Sequence, residues 1–264
     1  MTDITPPNFP LVSIITVVFN NAKHVGDTIN SVLSQKYPNI EYIVIDGGSA
    51  DGTVDVIKKY HNHISVFISE PDNGVYDALN KGVECSSGEI IGILHSGDLF
   101  CDENVVFDMV KRMSETKTEF CFADVVMVDE ITGKIIRYYM AHYFNRWMFR
   151  MGWMPPHPAT FMNKSLFDEF GLYSTKYKIV GDYDFFLRIF YGRKINWSYL
   201  GRITVKMRHG GISNSGLSSK KLLMNEINHA LKANHIWSMP FLQLGRYFIR
   251  LMELIIRPKK SVCR

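Results

Sequence analysis

The sequence predicts an α/β protein built on an open, mostly parallel sheet. Three observations carry this. Short apolar runs rich in β-branched residues alternate with stretches of helical periodicity through the first hundred residues. Each apolar run stops abruptly on polar or acidic residues. The apolar content of 46% and charged content of 21% are those of a globular chain. At 264 residues the chain is long enough for one large domain or two small ones.

Taken in order, residues 11–19 (LVSIITVVF) read as a strand buried on both faces, as parallel sheets require. Residues 22–35 carry Val25, Ile29, Val32 and Leu33 at helical spacing, and Pro38 then breaks the chain. Residues 40–45 (IEYIVI) form a second strand that ends on Asp46-Gly47-Gly48-Ser49. A helix is expected over 53–60 and a third strand over 64–68. Val75, Ala78, Leu79 and Val83 make a helical stripe, with Asp72 or Asn73 as its cap. Residues 89–94 are the fourth strand, closed by His95-Ser96-Gly97-Asp98. Strict alternation of this kind implies right-handed crossovers.

Ligands of open α/β sheets sit beyond the carboxyl ends of the strands. Here those ends carry acids: Asp46 after the second strand, Glu70 and Asp72 after the third, Asp98 after the fourth. There is no GxxxxGK[ST] and no GxGxxG, so neither of those phosphate cradles is present. Acid-lined strand ends repel bare phosphate. They make sense when a divalent cation mediates, or when they accept from sugar hydroxyls and base NH groups. A hard carboxylate such as Asp98 beside a flexible glycine suits Mg2+ or Mn2+ carrying a substrate phosphate.

Four ordered segments carry a family resemblance: SIITVVFN (13–20), VIDGGSADGT (44–53), EPDNGVYDALNKG (70–82) and GEIIGILHSGD (88–98). Together they resemble family 2 glycosyltransferases, nearest to bacterial enzymes of capsule, colanic acid and other exopolysaccharide synthesis. The resemblance implies a GT-A fold, a UDP- or GDP-sugar donor, Mn2+ or Mg2+, and inversion at the anomeric carbon. Carried over by position, Thr16, Val17 and Phe19 would line the base pocket. Asp46 would accept from the base ring NH, and Asp72 would lie near ribose and diphosphate. Asp51 and Thr53 would shape their turn. Lys81 would face the diphosphate or remain a solvated helix lysine. Asp98 would hold the metal. Many members have two adjacent acids at this turn, whereas this chain has Gly97 in the first place.

Beyond residue 102 a helix is expected over 105–113 and a hairpin from 120–128 and 134–139. Residues 140–154 are rich in rings, Met and Arg, suited either to sugar faces and lipid diphosphate or to ordinary packing. His157 follows as a candidate border of the acceptor site. In IVGDYDFFLRI (179–189) the resemblance places Asp182 as the general base, with Asp184 the fallback and Gly181 replacing an acid. An N-cap role alone would also explain an Asp there. Strands are expected over 195–200 and 202–207, then a Gly-rich loop 208–216 able to close over a donor. His209 in it either reaches the metal and diphosphate or is structural. A helix is expected over 220–233.

The net charge of +4 is uneven: residues 241–264 carry a net +5 and the rest −1. This argues against a nucleic-acid groove across the body. Residues 241–257 read as a helix with Arg246, Arg250, Glu253 and Arg257 in one stripe, too short and charged to span a bilayer. It fits an interfacial membrane helix, or else one packed on this domain or on a second copy. Residues 1–10 lack the features of a secretory leader. The four cysteines form no CxxC, so reduced thiols in a cytosolic protein are expected.

The reading is therefore one GT-A domain with a donor half (1–100) and an acceptor and base half (101–235), followed by a basic helix and tail (236–264). Its expected activity is inverting, metal-dependent transfer to a saccharide or polyprenyl-diphosphate-linked acceptor. The expected location is the cytoplasmic, inner face of the membrane, with homo-oligomers possible. A nucleotidyltransferase would normally show a Gly-rich basic loop after the first strand, and Asn20-Asn21-Ala22-Lys23 is not one. The alternative from another class is an assembly subunit that binds nucleotide sugar with weakened turnover, for which Gly97 and Gly181 speak.

Overall fold

A computed structural model describes residues 9–208, 216–239 and 241–256. The β-branched run forms β1 (Val12–Val18), buried at every position. It pairs in parallel with β2 (Ile40–Asp46) and β4 (Ile90–Ile93), and β2 pairs in parallel with β3 (Val66–Ser69). The crossovers are α1 (Val25–Leu33), α2 (Thr53–Lys58) and α3 (Val75–Cys85). Alternate side chains of β1 and β2 feed two cores. Ile15, Val17, Ile43 and Ile45 pack with Ala78, Leu79 and Val83 of α3. Ile14, Val18, Tyr42 and Val44 pack with Val25, Ile29 and Val32 of α1. Period-two alternation thus places α3 and α1 on opposite faces of the sheet.

The cap of α3 differs from expectation. Gly74 occupies that position, Asp72 Oδ1 accepts from the Gly74 amide (2.9 Å), and the Asn73 amide donates to Asp77 Oδ2 (2.9 Å). A glycine at a backbone that no side chain caps leaves Asp72 free to turn toward β2.

The second half contains β5 (Leu99–Phe100), α4 (Val105–Thr116), β6 (Phe120–Val128), β7 (Ile135–Tyr139), β8 (Thr160–Asn163), α5 (Ser165–Phe170), α6 (Gly181–Gly192), β9 (Trp197–Arg208), α7 (Gly216–Ala233) and α8 (Gly245–Ile255). Among the described residues all strands join one sheet, in the order β3-β2-β1-β4-β8-β6-β9-β5, with β7 paired to β6. The sheet is parallel through its first four strands and mixed beyond, since β8 runs antiparallel to both β4 and β6. The two strands expected over 195–207 are one strand, irregular in register between Phe122 and Val125 of its partner. Neither β5 nor α5 was anticipated: β5 has two residues and α5 six, below what periodicity resolves.

The ring-rich segment turns inward. Phe144, Phe149 and Trp153 are buried against Phe122, Phe190 and Trp197 in a network of edge, tilted and stacked ring contacts. These three rings are core, filling the space between β6 and α6, whereas Trp147 of the same segment stays 46% exposed. Cys85 and Cys121 are free thiols, as expected for those two positions. Among the described residues no helix is long and apolar enough to cross a membrane.

Candidate active site

The site collects at the carboxyl ends of β1, β2 and β4. Asp46, the last residue of β2, is fully buried. Its Oδ2 accepts from the Gly48 and Ser49 amides (3.2 and 3.0 Å) and from Ser69 Oγ (2.7 Å). Its Oδ1 is buried with no hydrogen-bond partner among the described residues. One oxygen is thus fixed and the other kept open to a donor, which native interiors rarely tolerate without a use. Asp72 closes on the same place: its Oδ2 lies 2.2 Å from where a Cβ on Gly47 would stand. Only glycine admits that carboxylate.

Phe19 leaves β1 with 63% of its surface exposed, a ring presented beside Asp46's strand. Thr16 and Val17 do not face the opening. Thr16 is fully buried and accepts from the Tyr42 hydroxyl (3.1 Å), and Val17 belongs to the core against α3. The strand is covered on both faces up to Val18, so only its exit residue reaches solvent. Lys81 is held by Glu70 (2.7 Å) and approaches Asp77 (3.8 Å). It secures the loop carrying Asp72 and makes no contact with Asp98.

Asp98 is buried, and burial raises its carboxyl to a pKa of about 8 despite the nearby Arg208 guanidinium. Its Oδ2 also lacks a partner among the described residues. The turn is built around Thr28 of α1, whose hydroxyl accepts from the Gly97 amide (2.9 Å) and donates to the Asp98 carbonyl (2.9 Å). Gly97 has φ +100°, a conformation that side chains disfavour. Among the described residues no three His, Cys, Asp or Glu side chains cluster as a metal cage. A single unpartnered buried carboxylate still fits a divalent ion that takes its other ligands from phosphate and water.

Asp182 stands in the first turn of α6, half-buried. Its Oδ1 accepts from the Tyr183 amide (2.8 Å) and from the Tyr76 hydroxyl (3.0 Å), which also donates to the Ile179 carbonyl (2.7 Å). Burial raises its pKa, and those hydrogen bonds and His95 oppose the rise. Gly181 is explained by Tyr76: a Cβ there would meet the ring at 2.8 Å. Asp184, the fallback, points into the protein, pairing with Arg188 (3.1 Å) and accepting from Asn234 (3.0 Å). It is structural.

His157 lies behind the site rather than at its border. It is buried, its Nε2 is 3.0 Å from the Tyr173 hydroxyl, and its ring adjoins His95 at 5.7 Å. Burial lowers both histidines to a pKa of about 4. His209 lies outside the described residues. Two residues were missed by sequence reading. Tyr76 sits on α3, with no polar signal to mark it. Arg208, bonded to Asp27 and His24, reaches Asp98's surroundings because β5 pairs with the end of β9. Nothing local in the sequence announces that pairing across more than a hundred residues.

Acids at neighbouring strand ends, one open oxygen on each of two of them, and a base candidate at a helix start define a group-transfer site on an α/β sheet. Residues 13–180 match the family model described as glycosyl transferase family 2, and the chain belongs to that family of glycosyltransferases. An uncharacterised glycosyltransferase of Mycobacterium tuberculosis is 35% identical over 186 residues, 68% of each chain. A PGL/p-HBAD biosynthesis glycosyltransferase of Mycobacterium bovis is 26% identical over 211 residues, covering 78% of this chain and 80% of that protein. Two solved structures share the fold. S. aureus TarS in complex with UDP-GlcNAc superposes with TM-score 0.67 at 17% identity, over 84% of this chain and 66% of that one. The mannosyltransferase PcManGT of Pyrobaculum calidifontis in complex with GDP-Man and Mn2+ gives TM-score 0.60 at 16% identity, over 93% and 81%. The chain spans 39% of a longer TarS structure. The GT-A architecture expected from the sequence is the one these structures share.

Proposed function

We propose that this glycosyltransferase moves a sugar from a nucleoside diphosphate donor to an acceptor hydroxyl with inversion, at a site formed by Asp46, Asp72, Asp98 and Asp182. The observation that carries the reading is the pair of buried carboxylate oxygens without partners, Asp46 Oδ1 and Asp98 Oδ2, at strand ends one strand apart. Burying such groups unpaired costs on the order of 1–3 kcal/mol each, so a ligand is expected to complete them. The fold neighbours bound to UDP-GlcNAc and to GDP-Man with Mn2+ support the donor class.

In this reading the base rests on Phe19 and its ring NH donates to Asp46 Oδ1. Asp72 takes hydroxyls of the ribose. Asp98 would hold a divalent ion, Mn2+ or Mg2+, which when bound supplies charge neutralisation for the leaving diphosphate. Arg208 adds a fixed positive charge on the same side. Asp182 accepts the proton of the acceptor hydroxyl as oxygen attacks the anomeric carbon and the bond to the diphosphate breaks. One displacement needs no enzyme nucleophile and inverts the centre. The acceptor is a saccharide or a polyprenyl-diphosphate-linked sugar of surface polysaccharide synthesis, met at the cytoplasmic membrane face. The second reading, a subunit that binds nucleotide sugar with weakened turnover, predicts donor binding without nucleotide release in the same test.

The test is release of nucleoside diphosphate from a panel of UDP- and GDP-sugars with Mn2+. Asp98→Ala is expected to abolish release. Asp182→Asn is expected to keep donor binding while lowering turnover by about 10²–10⁴. Release that survives Asp98→Ala overturns the metal assignment.

A further inference from the structure

The last helix is amphipathic in the inverted sense. Its charged stripe faces the protein. Glu253 is completely buried and bonded through Oε2 to Arg137 Nε of β7 (2.6 Å). Arg246 lies over Tyr247 and against Met224 of α7, and Ile249 packs on the main core. These residues recur at three- and four-residue spacing, one side of a helix. The opposite side is apolar and open. Phe248 is 67% exposed, Leu251 53% and Ile255 65%, with Tyr247, Met252 and Leu254 exposed beside them. The face continues onto neighbouring segments. Trp237 and Phe241 are exposed, and Arg150 lies over the Trp237 ring at 6.0 Å.

A soluble helix turns its apolar side inward. Here the body of the protein has taken the charges and left the rings and aliphatic chains outside, a patch of the kind that marks an interaction site. The rim decides the partner. Lys220 and Lys221 are exposed on α7, and Lys220 acts electrostatically on Tyr247 of α8. The acid within the helix, Glu253, is spent on Arg137. A second copy docked about a two-fold axis would set this basic rim against itself. An anionic lipid surface complements both the apolar face and the rim.

We infer that α8, with Trp237 and Phe241, seats the enzyme on an anionic phospholipid surface, with the apolar face of the helix inserted among the acyl chains. The inference rests on the proposed reaction only in saying what this placement serves. The elements that carry this surface pack on residues 149–151. Gly245 abuts Met151, Ser238 Oγ donates to the Arg150 carbonyl (2.7 Å), and Tyr183 bonds to the Phe149 carbonyl. Asp182 is the residue before Tyr183. One short segment, residues 149–151, therefore touches both the element that carries the seated face and the helix that carries Asp182.

The experiment is flotation of the full chain with phosphatidylglycerol vesicles and with phosphatidylcholine vesicles, alongside size-exclusion chromatography and nucleotide release. Phosphatidylglycerol binding at least about tenfold tighter than phosphatidylcholine binding, weakened by salt, is expected. The double variant Phe248→Ser, Leu251→Ser is expected to lose it by about tenfold or more, with nucleotide release retained as proof of an intact fold. Absence of binding to phosphatidylglycerol overturns the inference, as does unchanged binding by the variant. A wild-type dimer that the variant dissociates also overturns it in favour of a second copy. Vesicle binding without any nucleotide release supports the seated face and overturns only the reaction.

Discussion

Asp182, the base of the proposed reaction, is held by the Tyr183 amide and the Tyr76 hydroxyl. Burial pushes its carboxyl up, and the Tyr76 hydroxyl, donating to the ionised form, limits the rise. Only the ionised carboxylate accepts a proton, so turnover is expected to climb with pH through this pKa and then level. Tyr76→Phe removes the donor. The acid limb of the kcat profile should then move up by about one pH unit, as a hydrogen bond to a charged group implies. Donor KM should stay where it was. A variant whose profile keeps its wild-type midpoint would remove Tyr76 from the role of positioning residue. Gly181→Ala acts through the same ring: its methyl meets Tyr76 at 2.8 Å, so kcat is expected to fall with donor KM preserved. The Asp46 and Asp98 positions were legible in the sequence because strand ends in parallel sheets are where ligands bind. Tyr76 was not, since an aromatic on a helical stripe reads as core, and by its burial it is core as well.

At the scale of elements, the first four strands and three crossovers stand close to their expected bounds. A fully buried parallel strand must be a continuous apolar run, and nothing else in a chain looks like one. The strand β5 escaped because its two residues acquire meaning only by pairing with Lys206 and Val205 of β9. Helix α8 was recognised as a helix with one polar stripe, but which side that stripe faces is a matter of what lies across from it. Arg137 of β7 lies across from it. Removing that partner leaves a buried, uncompensated carboxylate. Arg137→Met is expected to destabilise the fold by about 3–5 kcal/mol in urea titrations, and the double change Arg137→Met, Glu253→Met to recover most of the loss. If the single and double variants unfold alike, the ion pair does not hold α8 in place.

For the whole molecule, pH couples to folding through groups that the sheet and α6 enclose. His157 has a folded pKa of about 4 against 6.5 when unfolded. Between those values the unfolded chain binds a proton that the folded chain does not, so this contribution is complete above pH 6.5 and is lost as pH falls toward 4. Asp98 acts in the opposite sense, because its raised pKa lets the folded protein hold a proton at pH values where the unfolded chain has released it. The clean measurement is a difference. Between pH 7 and 4.5 the wild type should lose about 2–3 kcal/mol more than His157→Phe. Equal losses would place the ring's titration outside the folding equilibrium.

The sequence by itself determined the alternating α/β half, its acids at strand ends, and the family. Each of these is written in local periodicity and in short contiguous motifs. Only the tertiary structure decided that Thr16, Val17 and His157 lie inside, that Lys81 is bound to Glu70, and that Tyr76 meets Asp182 across more than a hundred residues. It also decided the direction of α8. Contacts between distant segments depend on which elements the sheet order makes neighbours. Here β8 enters antiparallel between β4 and β6, and no local pattern of residues encodes that insertion.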